Sequence, residues 1–294
     1  MPVPRPTPRG ALVDIGGRRL HVVRAGLVRS DRPLVLLEAG AFGFSADWAA
    51  VQAGLAERGF ASIAYDRAGL GLSDPGPLPR DGAAIGADAE ALLDRLAPSG
   101  PLILCGHSMA GLHVHRLAGR LRDRVVGLVL VDAATPQSMN SRLVSAAVAQ
   151  FAGLSRLAAW GAGAGLLNPL ARTPLGDRIG LAGEVGDHKR WAFADAAHNS
   201  AAADEAAEWP AIARQALAAG ELNPEWPVAV ILAGAPDARS GLKTLMMAPA
   251  VNSRSGWVEH VASANHASML AGPHADVIVG AVERVCAAAM EIEA

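Results

Sequence analysis

The sequence predicts an α/β fold on a mainly parallel sheet, and three observations carry that expectation. Residues 33–38 (PLVLLE), 60–65 (FASIAY), 101–105 (PLILC) and 125–131 (VVGLVLV) are almost continuously apolar, the pattern of strands covered on both faces. Segments with helical spacing separate them, which argues for strands joined by right-handed crossovers. The chain is 51% hydrophobic but only 4% aromatic, with 32 glycines in 294 residues, so its interior is expected to consist of aliphatic side chains and close backbone contacts.

In chain order, the first ten residues (MPVPRPTPRG) read as a flexible arm. Residues 11–15 (ALVDI) and 18–23 (RRLHVV) flank Gly16-Gly17 as a hairpin. A strand over 33–38 runs into Ala39-Gly40, and a helix over 48–58 is closed by Gly59. The strand over 60–65 leads to DRAGLGLSDPGP, a loop dense in Gly, Pro, Ser and Asp. A helix over 83–96, a strand over 101–105, a turn and helix over 106–122, and a strand over 125–131 follow. The rhythm then stops. From 136 to 226 no buried strand is expected, only Ala-rich helical stretches (141–152, 188–197, 204–219), and this interruption as a whole holds half the aromatics. It resumes with a strand over 227–233, a short helix over 242–248, a weaker strand over 256–261 and a last helix over 275–290. The division is thus an α/β core of 11–135 and 227–294 with a helical cap inserted over 136–226.

Composition excludes several function classes. Lys and Arg number 26 against 28 Asp and Glu, a net charge of −2, which gives no footprint for nucleic acid. Cys105 and Cys286 cannot make a disulfide framework or a cysteine zinc site. The longest apolar stretch, 157–167, is too short to span a membrane. The N-terminus lacks the apolar region of a secretory signal, so cytoplasmic residence is expected. His113 and His115 stand two apart on a helix and face different ways, so they make no metal pair. GLGLSD (69–74) and GAGAG (161–165) lack the strand–GxGxxG–helix context of a dinucleotide loop.

The chemistry is concentrated in LILCGHSMAG (102–111). A buried strand runs into Gly106-His107-Ser108-Met109-Ala110 and then a helix, and small residues around the Ser allow a sharp turn that lifts its hydroxyl above the sheet edge. The N–H after that Ser points into the same space from a helix start, where a developing oxyanion is favoured. A Ser nucleophile needs a general base, and the base needs a carboxylate to orient it. Asp237, past PVAVILA, and His266, past GWVEHVA, supply them in the order Ser…Asp…His. Each falls at the carboxyl end of an expected strand, where open α/β sheets place their sites. The Gly-containing loop 38–42 offers the Ala41 N–H as second oxyanion donor beside that of Met109. Asp66 and Arg67 read as an ion pair bracing their loop, and Asp74 as a turn cap. His107 either lines the pocket or packs the turn. One or two of the insertion rings Trp160, Trp191, Phe193 and Trp209 are expected to form an apolar pocket, and Trp160 and Trp191 with Phe42 are the chosen candidates.

LVLLEAGAFG, AYDRAGLGLSDP, LILCGHSMAGL, VVGLVLVDA, VILAGAPD and ANHASML together resemble the α/β-hydrolase superfamily, over essentially the whole chain from Leu12 to the final helix. The resemblance implies the α/β-hydrolase fold, an eight-stranded, mostly parallel sheet flanked by helices with a helical cap after strand 6. It implies Ser108 as nucleophile, Asp237 as acid and His266 as base, with Ala41 and Met109 as the oxyanion hole. Some members place the acid where Asp132 stands, which is the alternative. Two positions depart from the pattern: Glu38-Ala39-Gly40 replaces the usual His-Gly, and Ala110 replaces the last Gly of the elbow. The expected activity is cleavage of small apolar or aromatic carboxylic esters through an acyl-enzyme, needing no cofactor and no metal. The same triad could run C–C, lactone or amide hydrolysis or acyl transfer, or be kept in a receptor-like binder with negligible turnover.

Overall fold

The computed structural model describes residues 2–140, 142–236 and 241–293. Eight strands form one sheet: β1 (Ala11–Asp14), β2 (Arg19–Ala25), β3 (Leu34–Glu38), β4 (Ser62–Tyr65), β5 (Leu102–His107), β6 (Val125–Val131), β7 (Val228–Ala233) and β8 (Trp257–Val261). Their order is β1-β2-β4-β3-β5-β6-β7-β8. The β1–β2 and β2–β4 pairs are antiparallel and every later pair is parallel, as the hairpin and the apolar runs predict.

The strands are apolar on both faces because both faces are covered. Val35, Leu37, Ile103, Cys105, Val129 and Ile231 pack with α1 (Ala49–Glu57) and α9 (Gly272–Glu293). Their alternates Leu34, Leu36, Leu102, Leu104, Leu128 and Val230 pack on the other side with α2 (Gly82–Leu96), α3 (Ala110–Arg120) and α8 (Gly241–Val251). Alternation along each strand divides it between two cores. Truncating any one of these buried leucines or isoleucines to Ala costs about 2–5 kcal/mol.

Between β6 and β7 the chain is helical: α4 (Arg142–Gly163), α5 (Gly183–Ala194), α6 (Ala196–Ala207) and α7 (Trp209–Ala218), with no strand among the described residues there. The helix expected over 141–152 runs on to Gly163, and two further boundaries differ from the sequence expectation. The stretch over 188–197 divides at Asp195, whose carboxylate caps α6 by accepting the His198 N–H. The stretch over 204–219 divides before Pro210, which stands in the first turn of α7, where a missing N–H costs nothing. Of the arm, residues 3–7 are laid against this insertion, and Gly10 lies against Val22 of β2. The Val3 N–H donates to Asn168 Oδ1 (3.1 Å), and the Arg5 guanidinium lies 5.7 Å from the Trp191 ring centre.

Candidate active site

The end of β5 makes the turn that the sequence predicts. Ser108 has φ +59°, a left-handed conformation costly for a non-glycine residue, and its backbone is held on both sides. Its N–H donates to Val131 O (3.1 Å), and its carbonyl accepts from Gly111 N (3.1 Å) and Ala134 N (2.9 Å). A Cβ on Gly106 would lie 2.7 Å from Val114 Cγ2, and one on Gly111 would lie 2.2 Å from Ala134 O. The closest backbone approaches thus fall at Gly106 and Gly111, and Ala110 is accommodated between them, fully buried.

His266 follows β8 and bridges two groups: Nε2 lies 2.9 Å from Ser108 Oγ, and Nδ1 lies 2.6 Å from Asp132 Oδ2. An ionised carboxylate only accepts, so Nδ1 carries the ring proton and Nε2 is left to accept from the Ser108 hydroxyl. Asp132 directly follows β6, again with positive φ (+44°), and its Oδ1 accepts from the Ala233 N–H (3.2 Å). Burial pushes this carboxyl up, but the hydrogen bonds from His266 and Ala233 outweigh it and hold it below the usual carboxylate range. Asp237, the sequence expectation for the acid, lies outside the described residues. The carboxylate that the described residues bring to His266 is Asp132.

His107 sits behind His266. Its Nε2–H donates to the main-chain carbonyl of His266 (2.9 Å), and the two rings lie 4.7 Å apart. Burial, reinforced by the neighbouring His266, pushes His107 down to about 3, so it stays neutral and keeps that donor.

The loop after β3 comes close to the elbow because residue 40 is glycine: a Cβ there would lie 2.8 Å from Ser108 Cβ. Gly40 to Gly43 form a turn closed by Gly43 N–H to Gly40 O (3.1 Å), with Phe42 at φ +56°. Among the described residues no acceptor sits on the Ala41 or the Met109 N–H. Among the described residues the three non-glycine positions with positive φ, Phe42, Ser108 and Asp132, therefore all stand at this site.

Glu38, left open by the sequence, is buried beneath the same loop. It accepts from the Tyr65 hydroxyl, and its Oε2 lies 3.8 Å from Arg67 Nη1. Burial raises it to about 7 against the opposing pull of Arg67 and Tyr65. The expected Asp66–Arg67 ion pair is not formed. Asp66 accepts from His21 (3.0 Å) and from the Ser45 and Leu72 N–H groups, while Arg67 turns the other way, to Glu205 of α6. Adjacent residues in an extended chain point to opposite sides, which separates them. Asp74 pairs with Arg19 through both its oxygens.

A cavity of about 570 Å³ opens over Ser108, within the ordinary range for small-molecule sites. Ser108, Asp132 and His266 line it, with an apolar wall of Met109, Leu112, Met139, Trp209, Leu242 and Met246. Phe42, His107, Trp160 and Trp191 do not line it. Trp160 is 66% exposed on the outer arc of α4, and Trp191 is buried with Phe44 and Leu72. Phe42 reaches the cavity only through two rings: it meets Phe151 edge-on at 6.0 Å, and Phe151 stacks at 4.9 Å on Trp209. Membership of the aromatic-rich insertion is the only sequence signal for Trp209, since helix spacing does not say which face looks toward the sheet. Among the described residues no group of three or more His, Cys, Asp or Glu could hold a metal ion, and no helix is long and apolar enough to cross a membrane.

Residues 33–172 match the family model described as alpha/beta hydrolase fold. A probable transporter, EfuK, of Hormonema carpetanum is 38% identical over 133 residues, which is 42% of this chain but 18% of that protein. The chain thus spans about a fifth of the length of this curated relative. Two solved structures align with most of the chain at 20% identity. An esterase of Thermogutta terrifontis matches with a TM-score of 0.65, covering 92% of this chain and 94% of that one. An enol-lactonase of Burkholderia xenovorans LB400 matches with a TM-score of 0.66, covering 94% and 99%. At that identity the structural likeness is one of fold, and it agrees with the strand order and the elbow. The chain has the α/β-hydrolase fold, and residues 33–172 carry the match to the family model of that name.

Proposed function

We propose that the protein is a serine hydrolase of carboxylic esters, with Ser108 as nucleophile, His266 as general base and acid, and Asp132 as the orienting carboxylate. The observation that carries this reading is the continuous run Ser108 Oγ–His266 Nε2 (2.9 Å) and His266 Nδ1–Asp132 Oδ2 (2.6 Å) at the floor of an apolar cavity. Ser108 attacks the ester carbonyl while His266 Nε2 takes its proton. Charge gathering on the carbonyl oxygen is met by the Ala41 and Met109 N–H groups, which are available because no acceptor among the described residues uses them. His266 then protonates the departing alcohol, and afterwards takes a proton from the water that cleaves the acyl-enzyme. Asp132 keeps the ring in the tautomer that can accept and stabilises the imidazolium when it forms. In this reading Asp132 has the role expected from the sequence for Asp237, which lies outside the described residues.

The helices between β6 and β7 act as a cap, and the pocket between cap and core takes an apolar acyl or alcohol group against Trp209 and the methionines. Thioethers are flexible and polarisable, which suits a pocket accepting more than one chain shape. The test is hydrolysis of a panel of p-nitrophenyl and aryl esters of increasing chain length. Ser108→Ala is expected to lower kcat by about 10⁴-fold or more. No hydrolysis by the wild type across the panel, or full activity in Ser108→Ala, would overturn the reading.

A further inference from the structure

The guanidinium of Arg67, 2% exposed, joins three segments of chain. Nη1 donates to Ala39 O (2.5 Å) and Nη2 to Gly40 O (2.9 Å), both in the loop beside Ser108. Nε and Nη2 donate to the Glu205 carboxylate on α6 (2.9 and 2.8 Å). Bonds of this charge-assisted, forked kind fix direction as well as distance, and Arg is the side chain whose rigid plane can make all of them at once.

The bond to Gly40 O has a consequence for Ala41. The peptide between Gly40 and Ala41 is planar and trans, so its carbonyl and its N–H point in opposite directions. Fixing the Gly40 oxygen on Arg67 fixes the direction of the Ala41 N–H. The bond to Ala39 O fixes the preceding peptide in the same way. The loop needs such restraint, because Phe42 sits at φ +56°, a strained conformation of about 1–3 kcal/mol that lasts only where its surroundings impose it.

The other end of the guanidinium reaches the insertion by a built contact. His198, Ala201 and Glu205 are spaced three and four apart and share one face of α6. His198 Nδ1 accepts the Gly71 N–H (2.9 Å), a Cβ on Gly69 would lie 2.7 Å from Ala201 Cβ, and Glu205 holds Arg67. One helix face is therefore fitted to residues 67–71, and its charged member reaches through to the loop carbonyls.

We propose that Arg67 is a positioning residue for the oxyanion donor at Ala41, and that α6 sets it through Glu205. The inference rests on the ester-hydrolase reading, and it makes the seating of α6 a condition for full turnover. The test compares wild type, Arg67→Lys, which keeps the charge but loses the fork, and Glu205→Gln, which keeps the size but loses the charge. Each is measured for kcat and KM on an ester that the wild type cleaves, for affinity to an alkylboronic acid that forms a tetrahedral adduct on a serine, and for thermal unfolding. Losing a well-aimed oxyanion donor costs about 10²–10³ in kcat, so Arg67→Lys is expected to lose about 10²-fold in kcat, with KM within about threefold. Boronic acid affinity should fall by the same factor. Glu205→Gln should lose about tenfold, in kcat and boronic acid affinity together. A folded Arg67→Lys with unchanged kcat and boronic acid affinity overturns the proposal, as does a loss confined to KM or to thermal stability. If Arg67→Lys does not fold, Glu205→Gln decides, and an unchanged kcat there overturns the role of α6. A wild type that cleaves no ester, or a Ser108→Ala that keeps the rate, is a different result and removes the hydrolase reading itself.

Discussion

Replacing Asp132 by Asn is the sharpest test of which carboxylate serves His266. In the native site Oδ1 accepts the Ala233 N–H and Oδ2 accepts His266 Nδ1–H. An amide has one oxygen, and placing it on the Ala233 N–H leaves the NH₂ facing His266. Two donors cannot face each other, so the ring moves its proton to Nε2, and Nε2 can then no longer accept from Ser108. A wrong tautomer of this kind costs about 10⁴ in kcat, or ~5.4 kcal/mol of barrier at about 1.36 kcal/mol per decade. The reversed amide would rescue the tautomer, but it sets NH₂ against the Ala233 N–H. That unpaired donor costs about 1–3 kcal/mol, and the charge that stabilises the imidazolium is still gone. Either way the loss exceeds about tenfold. The assay is kcat for a p-nitrophenyl ester, read beside circular dichroism and thermal unfolding to show that the variant folds, with Asp237→Asn as the parallel variant. Asp132→Asn should lose about 10³–10⁴-fold, and Asp237→Asn should stay within about threefold of wild type. The reverse ranking would refute the reasoning and move the role to Asp237.

Three further outcomes follow from the same geometry. Gly40→Ala puts a methyl 2.8 Å from Ser108 Cβ and must push the loop that carries Ala41 away. It should lower kcat by about 10²-fold while shifting the unfolding midpoint by only a few degrees, both measured on purified protein. Trp209→Ala removes the cavity wall that stacks on Phe151 and should raise KM for apolar esters by about tenfold. Trp160→Ala, on the 66%-exposed ring, should leave KM unchanged in the same assay. Glu38 is held protonated by burial up to about pH 7, against an ordinary value of 4.5. Between those values the folded state binds the extra proton, so its contribution is complete below about 4.5 and is lost as pH rises through about 7. Chemical denaturation across that range should show wild type losing about 3 kcal/mol relative to Glu38→Gln. A flat difference would refute it.

The local sequence determined the fold and the sharp turn at Ser108. Strands apolar on both faces can only be covered on both sides, and a buried strand ending in Gly-His-Ser-Met-Ala before a helix leaves the Ser little choice but to project from the sheet edge. His266, just past the last strand, was legible for the same reason. That Asp132 lies against His266 was not. His107 pairs with Val131 in the parallel register of β5 and β6, so Ser108 and Asp132 emerge side by side at one edge, and that adjacency exists only once the strands are paired. The pocket rings were misplaced on similar grounds. Helical spacing shows that a face is apolar but not whether it meets the sheet or another helix, so Trp160 looked as eligible as Trp209. Arg67 was read locally, as a partner for the residue beside it. The tertiary structure turned it toward Glu205, 138 residues away, and toward the loop that carries Ala41. Sequence determines what is local and periodic, whereas the close approach of distant charged groups is decided by how the layers pack.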